Sequence, residues 1–364
     1  MKILYISPEN TVGTLSTWKK FHESRGNQCE FVTFYESPNN FDSGLCLNLP
    51  FISTGSLYKN VRSIYYRHKY GKGGEYKIKG GHPPIWRATK FYEKLYFKIR
   101  DYFWSKIINK KLRKINLLNF DVYHFEWGLD FYRDCSFAKK VFELKKPIIC
   151  TYHGQDLRTR GVVEPLNLMA DKNFSSELDL LSMHPKMEYM FLPIDFKQNQ
   201  SIKKTGRNIR ICHTPTNRYY KGSEKIIEVC SKIAKERDNV EFILIEKVSH
   251  EKVLKIKSTC DILIDQIGNY GGVGYGMNSV ESMAMGLCCM TEMTEACDNF
   301  FKDHPFININ ESNLFDCLSF LIQDASKIDD YKQKSLDWVK QNHDVCVVGK
   351  KLYNNYQKII NEKQ

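Results

Sequence analysis

The chain has 364 residues, 42% of them hydrophobic, and a net charge of +12. That length supports two domains of ordinary size, and no apolar run approaches the roughly 18 residues that a membrane span needs. The twelve cysteines include no CxxC pair, which argues against a thiolate metal site and for free, mostly buried thiols in a reducing compartment.

Lys2–Ser7 reads as a buried first strand, because its apolar run ends at Pro8 and is too short for a secretory signal. A turn leads into a helix over 15–24, which Arg25-Gly26-Asn27 stops. Cys29–Phe34 is the next strand, giving βαβ order. Residues 36–85 are irregular, with Gly and Pro clusters at 71–74 and 80–84. Helical spacing of Trp86, Tyr92, Leu95, Tyr96, Ile99, Phe103 and Ile107 predicts a helix within 86–118. Strands at Asp121–Phe125 and Pro147–Tyr152 flank a helix near Phe137–Leu144, and Tyr189–Leu192 is a further strand. The polar, aperiodic residues 197–207 form the linker. Beyond it the alternation restarts. Strands are expected at Ile209–His213, Val240–Ile245, Asp261–Asp265 and Cys288–Thr291, and helices at Ser223–Lys235, His250–Ser258 and from Met277. Residues 328–361 are helical. The predicted fold is α/β, with two Rossmann-like domains facing across a cleft. The domains are 1–196 and 197–343, with the C-terminal helix, about 344–361, packing back on the first.

In such folds ligands sit at the carboxyl ends of the strands, so the loops there are where chemistry is expected. The run GGVGYGMNSVESMAMGLCC, Gly271–Cys289, is a glycine-rich loop entering a helix. Amides around Gly274, Gly276, Met277, Asn278 and Ser279 can face phosphate oxygens, assisted by the helix dipole. Glu281 can accept both hydroxyls of a ribose, or be a plain surface acid. The loop His213–Gly222 carries Thr216, Arg218 and Lys221. The two cations can neutralise a departing diphosphate, or merely belong to a solvated turn. Gly222 fits close packing at the helix start. In Thr151–Arg158, His153 can meet a sugar hydroxyl or the reacting centre, with Asp156 beside it; Asp156 and Arg158 can instead form a local ion pair. In Asn10–Leu15, Gly13 and Thr14 can bring backbone close to a diphosphate or an acceptor, or form an ordinary βα turn. His124 and Glu126 alternate along one strand and share a face, serving an acceptor or the core. Asp265, ending a strand, is a lesser candidate.

These loops together resemble the retaining nucleotide-sugar glycosyltransferases of family 4, which have the GT-B fold. The first strand and Gly13 resemble the family's N-terminal glycine loop. DVYHFEWG at 121–128 and PIICTYHGQDLR at 147–158 resemble its late N-domain strands, with His153 on its cleft histidine. FLPIDF at 191–196 resembles the segment leading to the second domain, and HTPTNRYYKGSEKII the segment bearing the diphosphate-binding Arg and Lys. DILIDQ followed by GYGMNSVESMAMG resembles the loop and helix of the Glu-x7-Glu motif. The second Glu falls on Glu281; the first falls on Val273, which removes a carboxylate that in the family contacts the donor sugar. The resemblance covers most of the chain and is weakest over 36–118.

The resemblance implies retaining transfer through an oxocarbenium-like state, from a UDP- or GDP-sugar donor to a glycan or lipid-linked acceptor, in surface glycan or glycolipid synthesis. It implies no cofactor, no metal and no enzyme nucleophile. His153, Arg218 and Lys221 would serve catalysis; Glu281, Gly274, Gly276, Met277, Asn278, Ser279 and Thr216 would hold the donor; Gly13, Thr14 and Asp156 would form the acceptor and phosphate loops. Two other readings are a GT-B-fold sugar-nucleotide epimerase and a non-catalytic sugar- or lipid-binding relative, the latter motivated by Val273.

Charge is concentrated in residues 59–114, which hold seventeen Lys/Arg against three Asp/Glu, interleaved with Tyr, Trp and Phe. That mixture suits peripheral contact with an anionic membrane at its cytoplasmic face, or a solvated basic helix. No nucleic-acid-binding motif is present.

Overall fold

Every strand pairing among the described residues is parallel. The computed structural model describes residues 1–51, 83–196, 208–268 and 274–363. The chain divides into two units, Met1–Phe191 with Gly349–Gln364, and Leu192–Val348.

The first unit is built on a seven-stranded sheet. Its strands are β1 (Lys2–Ser7), β2 (Gln28–Thr33), β3 (Leu45–Cys46), β5 (Val122–Glu126), β6 (Ile148–Tyr152), β8 (Lys172–Ser175) and β9 (Met187–Tyr189), in the order β3-β2-β1-β5-β6-β8-β9; β4 (Ile85–Trp86) and β7 (Val162–Val163) form a separate pair. The central strands are buried on both faces, as parallel sheets covered by helices require. This is why β1 reads as a near-continuous apolar run rather than an alternating one. One face packs Leu4, Ile6, Tyr123 and Phe125 into the main core. On the other, Tyr5 stacks on His124 at 4.2 Å, and the His124 Nε2 lies 2.6 Å from the hydroxyl of Tyr356 in the C-terminal segment. Gly349 allows that segment to approach, since a Cβ there would stand 2.2 Å from Phe21 Cζ. The order reverses between β1 and β5, so the loops after these two strands flank the switch point where ligands bind in doubly wound sheets.

The second unit has strands β10 (Ile209–His213), β11 (Val240–Leu244), β12 (Ile262–Ile264), β13 (Cys288–Thr291) and β14 (Ile307–Asn308), in the order β11-β10-β12-β13-β14. Ile211, Ile262, Ile264 and Met290 meet Ile226, Leu314 and Leu318 in its core. Its switch point lies between β10 and β12, between the loop bearing Lys221 and the loop entering the helix Met277–Ala284.

Two expectations shift. The strand expected at Tyr189–Leu192 ends at Tyr189. The C-terminal helix is interrupted, as Ala325–Asn342 and Val345–Lys363. The break has a cause: the backbone of Ile194 bonds His343 O and Val345 N, and the His343 ring lies 2.7 Å from Leu192 O. The expected linker, 197–207, lies outside the described residues, as do 59–82 of the basic segment.

Candidate active site

The second unit gathers its charge at the carboxyl ends of β10 and β12. Lys221 closes the one-turn helix Arg218–Lys221, whose first amides are capped by Asn217. Gly222 follows at φ +61, and a Cβ there would stand 2.3 Å from Ile267 O. Only glycine tolerates both the left-handed conformation and that approach. The approach delivers the Lys221 ammonium to Asp265 Oδ1 at 2.7 Å and to Gln266 Oε1 at 2.9 Å. Asp265 is fully buried at its side chain. It also accepts from Ser279 Oγ at 2.6 Å and from Asn278 Nδ2 at 2.9 Å. Burial alone would raise its pKa, but Lys221 and the two donors win and lower it to about 2. The lesser candidate of the sequence is therefore the hub of the cluster.

Asn278 joins that hub to a second ion pair. Its Oδ1 accepts from Thr214 Oγ1 at 2.6 Å and from Lys257 Nζ at 3.0 Å. Lys257, with no exposed surface, also donates to Asn278 O and to Glu281 Oε2, each at 3.0 Å. The other carboxylate oxygen of Glu281 lies 2.6 Å from His250 Nε2. Glu281 is thus not a surface acid. Burial pushes its pKa up, but Lys257 and His250 outweigh this and hold it below the usual range. Each of its oxygens keeps a lone pair for a further donor.

The donor loop ends in a fixed geometry. Gly274, at φ +82, accepts from Gln266 Nε2 at 3.0 Å and from Thr291 Oγ1 at 3.1 Å through its carbonyl. Gly276 precedes the helix Met277–Ala284 and offers no capping side chain; the Ser279 amide donates to Gly276 O at 3.0 Å, which leaves Met277 and Asn278 at the head of the first turn. Val273 lies outside the described residues. Thr216 is exposed in the loop after β10. Arg218 does not join Lys221: it bonds both oxygens of Glu246, at 2.8 and 2.7 Å, and Glu224 at 3.2 Å.

In the first unit, His153 at the end of β6 and Glu126 at the end of β5 meet, with His153 Nε2 2.6 Å from Glu126 Oε2. Burial opposes charge on this imidazole, but the Glu126 hydrogen bond and charge prevail and raise its pKa. Asp156 caps the turn by accepting from the His153 amide, at 2.9 Å, and from the Leu157 amide, at 2.8 Å. It forms no pair with Arg158, which goes instead to Asp179 at 2.6 Å and Glu177 at 2.8 Å. His124 sits in the core against Tyr356, so it and Glu126 do different work. Gly13, at φ +78, starts the helix Thr14–Ser24, and the Thr14 hydroxyl donates to Thr11 O at 2.9 Å within the turn. Trp127 Nε1 donates to Thr11 Oγ1 at 2.9 Å, tying the loops after β1 and β5 together.

The cluster thus brings together Lys221, Asn278, Ser279 and Glu281, with Asp265 as the hub, and leaves Arg218 and Thr216 outside it. Sequence reasoning missed Lys257, His250 and Gln266. A usable signal existed: His250 and Lys257 are seven apart, hence on one face of a helix, and a lysine on a packed face asks for an acid. Among the described residues, no group of three or more His, Cys, Asp or Glu is placed to hold a metal ion.

No protein-family model and no curated protein sequence matches the chain. Solved structures match along its length. Anabaena HepE, in complex with UDP and glucose, has a TM-score of 0.60 at 11% identity, covering 98% of this chain and 99% of that one. An alpha-glucosyltransferase in complex with UDP-glucose and DNA containing an abasic site gives 0.56 at 11%, covering 98% and 99%. A putative UDP-N-acetylglucosamine 2-epimerase from Listeria monocytogenes gives 0.53 at 12%, covering 96% and 94%. At these identities the likeness is one of fold. The chain has the α/β architecture of two Rossmann-like domains called GT-B.

Proposed function

We propose that this protein is a glycosyltransferase that moves a sugar from a nucleoside-diphosphate sugar to a hydroxyl acceptor, with retention and without a metal ion. The observation that carries the reading is the Lys221–Asp265–Asn278–Ser279 cluster at the start of the helix Met277–Ala284. A helix N-terminus beside a lysine, at the carboxyl ends of parallel strands, is built to receive a diphosphate. The fold neighbours solved with UDP or UDP-glucose support the same class of donor. Glu281 and His250 take the ribose. As the sugar–phosphate bond breaks, charge develops on the departing diphosphate, and Lys221 and the first-turn amides stabilise it. Arg218 contributes if it exchanges Glu246 for phosphate. The acceptor is a glycan or lipid-linked hydroxyl at the cytoplasmic face of a membrane, and the His153–Glu126 pair of the first unit would serve it.

The His153–Glu126 pair also favours a second reading. A buried imidazole beside a carboxylate can move a proton, which an epimerase of this fold would require. The test is incubation with UDP- and GDP-sugars, with and without glycan or lipid acceptor extracts. Acceptor-dependent release of nucleoside diphosphate is expected; isomerised donor without acceptor would favour the epimerase. Lys221→Ala is expected to lower turnover more than donor binding, and equal losses would remove its leaving-group role.

A further inference from the structure

The helix Phe91–Lys111 has two apolar faces, and the core uses only one. Glu93, Arg100, Trp104 and Ile108 point inward. Trp104 donates to Pro50 O at 2.8 Å, and the Arg100 guanidinium stacks over its ring at 4.1 Å. Outward stand Phe91, Tyr92, Leu95, Ile99, Tyr102 and Phe103. Phe91 is 80% exposed and the others 45–58%. Tyr92, Ile99 and Phe103, at i, i+7 and i+11, form one stripe; Phe91, Leu95 and Tyr102, at i, i+4 and i+11, form the stripe beside it. Six large apolar side chains on one solvent-facing arc are not scattered surface residues.

Lysines border this arc. Lys94 and Lys98 lie along one edge, and Lys106 and Lys110 continue the arc past its C-terminal end, all exposed. Lys106 Nζ sits over the Tyr102 ring at 4.2 Å, its stem along the apolar surface and its charge at the rim. The helix has two acids. Glu93 is buried and bonds the Thr89 and Lys90 amides; Asp101 is half-buried and bonds Arg100. No acid is exposed anywhere on the described part of the basic segment, 83–114.

We infer that this helix is a membrane-docking surface that lies in the interface of an anionic bilayer, its aromatic arc among the acyl chains and its lysines on the headgroups. The pattern is that of an in-plane interfacial helix. Charge complementarity selects this occupant. A second copy of the chain would set lysine against lysine. A nucleic acid would meet aromatic and aliphatic side chains at the centre of the face, with the cations at its margin. The inference does not depend on the transfer reaction.

The test is co-sedimentation of the full chain, without donor, with vesicles of phosphatidylcholine containing roughly a third phosphatidylglycerol, and with phosphatidylcholine alone. Binding to the anionic vesicles is expected, weakening as salt rises. Neutralising Lys94 and Lys98 (K94Q/K98Q) is expected to weaken it about fivefold per lysine. L95S/I99S/F103S is expected to weaken it on the order of a hundredfold or more. Those positions are exposed, so circular dichroism should show the fold retained; the single variant F91S, at the most exposed site, tests the same face if it is not. Absence of binding to anionic vesicles at low salt overturns the proposal, and so does binding that F91S and the triple variant leave unchanged. Two further results assign the face elsewhere and equally overturn it: a wild-type dimer that L95S/I99S/F103S converts to monomer in sedimentation velocity, or duplex DNA that binds the helix and displaces the vesicles.

Discussion

Replacing Asp265 by Asn removes one charge and turns one acceptor into a donor, with almost no change in shape. Three donors converge on this carboxylate: Lys221 Nζ and Asn278 Nδ2 on Oδ1, and Ser279 Oγ on Oδ2. An amide cannot accept from all of them: with its oxygen toward Lys221 and Asn278, its NH2 group faces Ser279 Oγ, which must turn from donor to acceptor, and the lysine loses its counter-charge. A pKa of about 2 against an ordinary value near 3.9 corresponds to about 2.5 kcal/mol of preference for the charged form. A depressed carboxylate contributes stability above its unfolded value, near pH 4, and loses it as pH falls through about 2. Removing one partner of a buried pair costs about 3–5 kcal/mol. The Lys221 side chain keeps 18% of its surface exposed and can turn to water, which places the cost near 3 kcal/mol. For a unit of this size that is a fall of roughly 6–12 °C in Tm. The assay is thermal denaturation at neutral pH on Asp265→Asn, Lys221→Met and the double variant. The double is expected to recover about 2 kcal/mol relative to the sum of the singles. Nucleoside diphosphate is expected to bind Asp265→Asn at least as tightly as wild type, since Asp265 competes with phosphate for Lys221. An Asp265→Asn protein within about 0.5 kcal/mol of wild type, or a strictly additive cycle, would refute the reasoning.

Glu281→Gln is expected to weaken UDP or GDP binding by about 1–3 kcal/mol in calorimetry, through lost charged hydrogen bonds. It should also abolish any preference over the 2′-deoxy nucleotide; a preserved preference would move the ribose elsewhere. The His153–Glu126 pair makes a pH-dependent contribution of the opposite sign to Asp265. A histidine whose pKa is raised on folding contributes stability that is full below about pH 6.5 and is lost as pH rises through the folded value. Tm measured from about pH 5.5 to 9 should show the gap between wild type and Glu126→Gln narrowing as pH rises, and a constant gap would argue that Glu126 acts only through shape.

The strands of both sheets were legible where short runs rich in β-branched, aromatic and other apolar residues are bounded by turn residues, as in Lys2–Ser7, Asp121–Phe125 and Ile209–His213. Lys172–Ser175 was not, because KNFS is polar in pattern and becomes a strand only by pairing between β6 and β9. The helix Leu314–Ile322 was missed for the opposite reason. Its run LFDCLSFLI is too apolar to show a period, and its place in the core decides it. At the site, Lys221, Asn278, Ser279 and Glu281 were readable because parallel sheets offer their carboxyl-end loops to ligands. Their pairings were not, although Asp265 itself stood out as a lesser candidate. Asp265 and Lys257 are 44 and 24 residues from Lys221 and Glu281, and only the fold brings them within 3.0 Å. Arg218 and Lys221, read together from one loop, take different partners in the structure. Gly222 lets the chain press against Ile267, which turns Lys221 inward and leaves Arg218 facing Glu246.

That division has a consequence for binding. Lys221 with Asp265 and Lys257 with Glu281 leave the cluster neutral, apart from His250, with Asn278 bonded to both pairs. On the proposed function, a diphosphate would therefore find both lysines of the cluster already paired. Its charge must be met by the first-turn amides of Met277–Ala284 and by Lys221 loosening its hold on Asp265. Such an exchange costs most in the ground state and is recovered as charge grows on the leaving group. On the proposed function, Lys221 would then be an interaction realised chiefly in the transition state, the kind that raises kcat rather than lowering KM. Lys257 cannot take that role. It has no exposed surface, all three of its hydrogen-bond acceptors belong to Asn278 and Glu281, and its contribution is to keep Glu281 ionised and aimed. On the proposed function, two lysines in one cluster would thus divide the work: Lys221, partly exposed and exchangeable, at the phosphate end, and Lys257, sealed behind the Glu281 carboxylate, at the ribose end.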